Sequence, residues 1–301
     1  FFDNVPQAGE SKKYDSTYKG ILKVFAISQT GLKLVLDDID FVWNAPAIKE
    51  RPGDFRNGQK GAIVEFFGWR DEDIEQECQF LADNGYLGAK VFPHMEQVMS
   101  SQSTDNVLNP WYFMYQPVSY RLQGRMGTRD DLRKMINTCR ALGVRVYADA
   151  VVNHMSAGGN DSSDHRNPDG GCSKWPGKQT SAPEGSQSPY YTHSWTYQFN
   201  PATGRANNAL EFPAIPYGPM DFHCERPLNR WDDPVLLDTG WLVGLSDLDT
   251  SKEFVRQRIC DHMVDLLSIG FSGFRVDAAK HIHPRDLAAI FGKLKNAMGG
   301  E

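Results

Sequence analysis

Val144-Arg145-Val146-Tyr147-Ala148-Asp149-Ala150-Val151-Val152 is a β-rich run that ends on the polar pair Asn153-His154, and it starts directly after Gly143 closes a helical pattern. In that pattern Thr128 stands as a cap, and Leu132, Met135, Ile136, Cys139 and Leu142 share one face at helical spacing. A nearly continuous apolar strand entered straight from a helix reads as part of a parallel sheet with helical crossovers. The same rhythm extends both ways. Upstream lie a strand at 62–67, then a helix opening on Asp71-Glu72-Asp73 with Ile74, Cys78, Leu81 and Ala82 inward and closing at Asn84-Gly85. A second strand at 88–92 is stopped by Pro93. Downstream come a helix over 252–269 carrying Val255, Ile259, Met263, Leu266 and Leu267 inward, a strand at 273–276, and a helix from Pro284 to about 296. The chain reads as an α/β protein with four βα units.

The rhythm breaks between 154 and 246. This stretch is rich in Gly, Ser, Asn, Pro and aromatics, and it far exceeds the ~2–6 residues usual for loops of α/β units. It reads as an inserted subdomain. The organisation expected is therefore an N-terminal extension at 1–60, barrel-type units at 61–153, the insertion at 154–246 and a fourth unit at 247–301. Apolar segments at 21–25 and 32–36 predict a small antiparallel β element in the extension.

Composition narrows the class of function. The 301 residues carry a net charge of -6 with 40% hydrophobic and 23% charged residues, which fits a folded globular body. No basic run marks a nucleic-acid binder, and charged residues interrupt every apolar stretch before the ~18 needed to span a bilayer. Five cysteines (Cys78, Cys139, Cys172, Cys224 and Cys260) lack the paired spacing of a zinc site and leave at least one outside any intrachain pair. Asn160-Asp161-Ser162 is an N-glycosylation sequon. The chain begins with Phe1 and a polar opening, so it reads as processed or excerpted.

Parallel βα folds place their chemistry at the C-terminal ends of the strands. Two such ends stand out: Asp149-Ala150-Val151-Val152-Asn153-His154 and Gly273-Phe274-Arg275-Val276-Asp277-Ala278-Ala279-Lys280-His281. Residues two apart on a strand face the same side, so Arg275 and Asp277 point together. A carboxylate beside a guanidinium stays ionised at neutral pH, as a nucleophile requires. Taken singly, an Asp and a nearby Arg also make an ordinary structural ion pair.

These two segments, with 62–98, Asn109-Pro110-Trp111-Tyr112, Tyr115-Gln116-Pro117-Val118-Ser119-Tyr120 and Gly244-Leu245-Ser246-Asp247-Leu248, resemble the alpha-amylases of glycoside hydrolase family 13. The animal-type, chloride-dependent branch is the most similar. The resemblance covers roughly residues 60 to 301 and implies a TIM (β/α)8 barrel whose first four βα units are present, with the subdomain inserted after the third strand. It implies endo-hydrolysis of alpha-1,4-glucosidic bonds in starch or glycogen by a retaining double displacement, in a secreted or lumenal setting. Asp277 matches the nucleophile, and Arg275 the guanidinium that orients it and, in this branch, helps hold a chloride. His154 matches a histidine that hydrogen-bonds the sugar in the cleavage subsite, with Asp149 supporting the same region. Tyr115 is expected to stack on that sugar, Trp111, Tyr112 and Gln116 to line neighbouring glucose sites, and Lys280 and His281 to contact the leaving-group side.

The resemblance further implies a structural calcium ion held by the side chains of Asn153 and Asp247 and by the backbone carbonyls of His281 and of a residue near Asp238. It pairs Cys78 with Cys139 across the first two barrel helices. Cys172 and Cys224 are a second candidate pair. Glu65, Gly68 and the strand end Phe92-Pro93-His94 depart from the family pattern. A retaining glycosidase needs a second carboxyl as acid and base. The family takes it from the fifth strand and a third carboxylate from the seventh, and residues 288–300 hold no acid at all. Setting aside extension and insertion leaves about 150 residues against the ~250 of an eight-unit barrel. Half a barrel exposes sheet edges, so the remaining strands are expected on a second polypeptide or a removed C-terminal part. The alternative is a non-catalytic amylase-like subunit serving as a carbohydrate- or protein-binding scaffold.

Overall fold

The computed structural model describes residues 61–100, 103–104, 107–156, 221–223 and 226–299, with short pieces of strand and turn elsewhere between 20 and 217. It divides into two compact units, Phe1–Pro46 and Ala47–Glu301. In the first, strand Gly20–Leu22 pairs antiparallel with Ile39–Phe41, and Phe25–Ile27 pairs antiparallel with Lys33–Val35.

The second unit is built on a parallel sheet of four strands, β1 (Ile63–Glu65), β2 (Gly88–Lys90), β3 (Arg145–Ala150) and β4 (Phe274–Val276), adjacent in chain order. Sequential parallel neighbours are the arrangement of a (β/α)8 barrel wall, whereas a doubly wound sheet reverses its order midway. Register aligns Glu65, Lys90 and Tyr147 across the first three strands, and Asp149 opposite Arg275 across the last two. The strands are shorter than the apolar runs that predicted them, yet their ladders continue one step further. Phe66 donates to the Lys90 carbonyl, Val91 to Tyr147 and Asp277 to Ala150, at 2.9, 3.1 and 2.9 Å. After β1 the chain turns away at Gly68, whose φ of 71° favours a residue without Cβ.

Four helices cover the sheet: α1 (Asp71–Asp83), α2 (Arg129–Ala141), α4 (Glu253–Ile269) and α5 (Pro284–Ala297), with a short α3 (Pro234–Thr239) between α2 and α4. Each begins where its sequence says. Three acids fill the first turn of α1, Thr128 and Asp131 form a reciprocal capping box on α2, and Pro284 stands in the first turn of α5. Gly270, at φ 117°, ends α4 in the left-handed region. The core lies between sheet and helices: Ile74 and Leu81 of α1, Met135 and Ile136 of α2, Ile259 and Met263 of α4 and Ile290 of α5 are buried with Ala89, Val146 and Ala148 of the strands. A fully buried aliphatic side chain of this size contributes about 1.5–3 kcal/mol.

Cys78 and Cys139 form a disulfide that ties α1 to α2, and Cys260 is a buried free thiol. Cys172, Cys224 and the sequon at Asn160 lie outside the described residues. α3 falls in the stretch read as lacking helical period. Its signal is local: Asp233 accepts from the Val235 and Leu236 amides, and Pro234 follows at the first helical position. Among the described residues, no helix is long and apolar enough to cross a membrane.

Candidate active site

Arg275 and Asp277 lie two residues apart at the end of β4 and face the same way. A single guanidinium nitrogen, Nη1 of Arg275, donates to Asp277 Oδ1 at 2.5 Å and to Asp149 Oδ1 at 2.8 Å. The Asp277 side chain is 15% exposed and that of Asp149 fully buried. Burial pulls the Arg275 guanidinium down, but the two carboxylates outweigh it and hold the group above its ordinary value. Directly after Asp277, Ala278 adopts a left-handed φ of 48°, a conformation that costs a residue with a Cβ and turns the chain sharply out of the sheet.

Asp149 is the hub. Besides Arg275, it accepts from the Tyr115 hydroxyl at 2.8 Å and faces Lys90 Nζ at 2.6 Å, both on Oδ2. Burial, followed by the Asp149 charge and hydrogen bond, raises the Tyr115 phenol well above its usual range, so it stays a donor. Lys90 also reaches Glu65 Oε1 at 2.9 Å. Lys90 carries no signal of its own in the sequence, and Glu65 stands there only as a departure from the family pattern. The register of β1, β2 and β3 is what brings both to Asp149, and no local pattern carries that.

Aromatic rings flank this charge cluster. Trp111 and Tyr112 sit on a turn of 3-10 helix, Trp111–Tyr115, and Trp111 is 53% exposed. Trp111 packs edge-on against Tyr112 and Tyr115 at 5.9 and 6.1 Å, and Phe67 lies 5.5 Å from it. Gln116 is buried at the end of this turn. Tyr115 packs on Phe92 at 5.3 Å and has Arg275 5.8 Å above its ring.

His154 is buried, with Nε2 3.1 Å from the Tyr115 carbonyl and Nδ1 3.3 Å from the Asn153 amide nitrogen. Burial lowers its pKa, and the nearby Asp277 charge offsets part of that shift. Contact with a sugar would require Nε2 to leave the Tyr115 carbonyl. Lys280 and His281 both meet the exposed ring of Trp231, to which no local sequence pattern points: Lys280 Nζ stands 4.5 Å over it and the His281 ring packs edge-on at 5.5 Å, while His281 itself is buried with Nδ1 3.0 Å from the Leu237 carbonyl.

The residues expected at a metal come together in two pairs. Asn153 Nδ2 donates to Asp247 Oδ1 at 3.1 Å, and His281 meets the turn of α3 at Leu237, next to Asp238. His223, also missed, takes the second Asp247 oxygen at 2.7 Å and lies 3.4 Å from Asp249. Burial raises the Asp247 carboxyl to about 6 against the pull of His223 and Asn153. Burial alone would lower His223, yet Asp247 and Asp249 raise it to about 9. A buried carboxylate that takes up an imidazolium is one that calls for positive charge. Among the described residues no group of three or more His, Cys, Asp or Glu side chains is arranged to hold a metal. A cation here would depend on amide and backbone oxygens as well.

Comparison with known proteins bears on the same segments. The alpha-amylase catalytic-domain family matches residues 98–293. Pancreatic alpha-amylase 2a5 of Mus musculus is 37% identical over 239 residues, covering 78% of this chain and 40% of that protein. Alpha-amylase 2B of Homo sapiens is 35% identical over 270 residues, or 87% of this chain and 44% of that one. The crystal structure of alpha-amylase I from Eisenia fetida superposes with a TM-score of 0.60 at 32% identity, covering 82% of this chain and 42% of that chain. This chain thus spans about 40% of the length of the relatives it matches. Nothing in these comparisons supports a second polypeptide. The family match takes in β3, β4 and the charged ends of both strands, and with it the chain belongs to the alpha-amylase family.

Proposed function

We propose that this chain carries the nucleophile half of an endo-acting alpha-1,4-glucan hydrolase of the retaining type. The observation that carries the reading is the Arg275 nitrogen shared between Asp277 and the buried Asp149. It fixes the Asp277 carboxylate at a strand end, partly exposed and beside a permanent cation, which is what a nucleophile attacking an anomeric carbon needs. Asp277 attacks the anomeric carbon as the glycosidic C–O bond breaks, the leaving glucan oxygen taking a proton from a second carboxyl, and gives a covalent glycosyl-enzyme. Water then attacks that intermediate, losing its proton to the same carboxyl as Asp277 is released.

The remaining assignments follow the arrangement around Asp277. Tyr115 stacks on the sugar in the cleavage subsite, with His154 behind it, while Trp111, Tyr112 and Gln116 line further glucose sites, since aromatic faces suit the apolar faces of pyranose rings. Lys280 and His281 lie on the leaving-group side. Asn153 and Asp247, with the carbonyls of His281 and of a residue near Asp238, would hold a structural calcium. Their oxygens suit a hard cation, which would compete with the His223 imidazolium for the buried Asp247 carboxylate. Arg275 would contribute to a chloride site. The domain plan keeps the extension at 1–60, the insertion at 154–246 and a secreted or lumenal setting. A second polypeptide is not part of this proposal.

The test is reducing-end release from soluble starch by the intact protein that contains this chain, before and after Asp277→Asn. Release that drops by a factor of about 10^3 or more supports the nucleophile role. Unchanged release overturns it. No release from any alpha-glucan favours the scaffold reading.

A further inference from the structure

From β1 to β4, neighbouring strand ends present Glu65, Lys90, Asp149, Arg275 and Asp277, negative and positive in strict turn. Two of these five groups have no part in the reading above. Lys90 is only 12% exposed, lies 2.6 Å from Asp149 Oδ2 and 2.9 Å from Glu65 Oε1, and sits 5.1 Å over the Phe92 ring. A partly desolvated ammonium is costly to keep, so what it neutralises matters.

The shared nitrogen of Arg275 supplies the reason. Asp149 is fully buried and Asp277 is not, so an Asp149 with no other cation would draw the guanidinium charge to itself. A second cation on the far oxygen of Asp149 removes that competition. A neutral donor such as an amide would satisfy the hydrogen bond and leave the charge unbalanced.

We propose that Lys90 is a positioning residue for the reaction at Asp277: by neutralising Asp149, and itself held by Glu65, it leaves the charge of Arg275 to the Asp277 carboxylate. This rests on Asp277 being the nucleophile. The groups facing the pair are few. Tyr115 and His94 stand near Asp149, and Tyr115 and His154 near Asp277, with His281 beyond His154. Of these only His94 carries a positive charge, and both its ring nitrogens are spent on the Phe92 carbonyl and Asp71, so Lys90 is the second cation in contact with Asp149.

The test compares Lys90→Met, Lys90→Arg and Glu65→Gln in the intact protein. Lys90→Met should lower kcat about tenfold or more on soluble starch with KM within about twofold, and move the acid limb of the rate profile to higher pH by about half a unit to one unit. Lys90→Arg should restore most of both. Glu65→Gln, which stops Lys90 from sharing its charge, should move the limb to lower pH, and it decides the matter if Lys90→Met fails to fold. The Asp277 carboxyl followed by 13C NMR should titrate at higher pH in Lys90→Met, a readout that needs no turnover. An unmoved acid limb and an unmoved titration would overturn the role of Lys90. Equal damage from Met and Arg would overturn it too, since it points to shape and not charge. Absence of turnover in the wild type would overturn the reading of Asp277 instead, while the titration still decides for Lys90.

Discussion

Arg275 stands directly opposite Asp149 across two parallel strands, and its guanidinium donates to the Asp149 carboxylate at 2.8 Å. Asp149 also serves Lys90 and Tyr115, so one buried carboxylate lies between two cations, whose other partners are Glu65 and Asp277. Asp149→Asn keeps the volume and removes the charge, which leaves Lys90 and Arg275 facing each other across a neutral amide. Breaking a buried ion pair by removing one partner typically costs about 3–5 kcal/mol. Arg275 is 47% exposed, so solvent screens part of that and the expected loss is nearer 2 kcal/mol. Urea unfolding of the variant and its parent measures it, and a loss under about 0.5 kcal/mol would mean that Asp149 does not hold the strand ends together.

A second buried pair governs stability at alkaline pH. His94 Nδ1 lies 2.7 Å from the Phe92 carbonyl and Nε2 2.6 Å from Asp71 Oδ1, and both partners accept. Only an imidazolium donates to both. Burial pushes His94 down, but the Asp71 charge and the two hydrogen bonds prevail and raise it above 6.5. A raised folded value contributes stability that is complete below about 6.5 and fades as pH rises through the folded value. His94→Gln should therefore cost most at pH 6 and progressively less toward pH 9. Urea midpoints for both proteins across that range check the sign, and a gap that widens with pH would refute the imidazolium.

The sequence carried the barrel units well because their signals are local. Helical spacing of Ile74, Cys78 and Leu81, the close at Asn84-Gly85 and the Thr128 cap each depend on a few neighbouring residues, and each element formed where they predicted. The pairing of Arg275 with Asp277 was legible for the same reason, through the two-residue repeat of a strand. Lys90, Glu65, Trp231 and His223 were not, because their partners are brought near by sheet register or by loops tens of residues away. Lys280 and His281 show the limit from the other side: adjacent in sequence, both reach Trp231, but the 3-10 turn Ala279–His281 leaves the first exposed and buries the second.

Calcium should stabilise the fold through Asn153 and Asp247. At a concentration about 100-fold above its dissociation constant, a ligand bound only by the folded state contributes about 2.7 kcal/mol. Thermal unfolding in chelator and then in excess calcium should show a rise of several degrees, and Asn153→Ala should abolish the rise, on top of the lower melting point in chelator that loss of its hydrogen bond to Asp247 brings. A calcium response that survives in Asn153→Ala would place the ion elsewhere.

Trp111 and Trp231 are exposed rings, and each is tied to a residue assigned to substrate: Trp111 to Tyr115, Trp231 to Lys280. Loss of an aromatic stacking surface costs about 1 kcal/mol, or several-fold in binding. Alanine at either position should raise KM on maltooligosaccharides by about that factor with kcat little changed. Unchanged KM in both would remove these rings from the binding surface.

His262 offers the reverse case of His94. It is buried on α4, stacked on Tyr120 at 4.4 Å and 13°, and neither ring nitrogen has a hydrogen-bond partner. Burial pushes its pKa down to about 4, with Asp265 opposing only weakly. A folded value below the unfolded 6.5 means that the neutral ring's contribution is complete above about 6.5 and is lost as pH falls through the window toward 4. By pH 5 the loss is on the order of 2 kcal/mol. His262→Phe keeps the stacked ring and removes the two unsatisfied nitrogens, so it should be neutral or stabilising at pH 7.5 and should flatten the decline between pH 6.5 and 5. Urea unfolding at both pH values decides the point. Parallel declines in the two proteins would show that acid sensitivity arises elsewhere, and a large loss at pH 7.5 would show that the ring nitrogens are hydrogen-bonded after all.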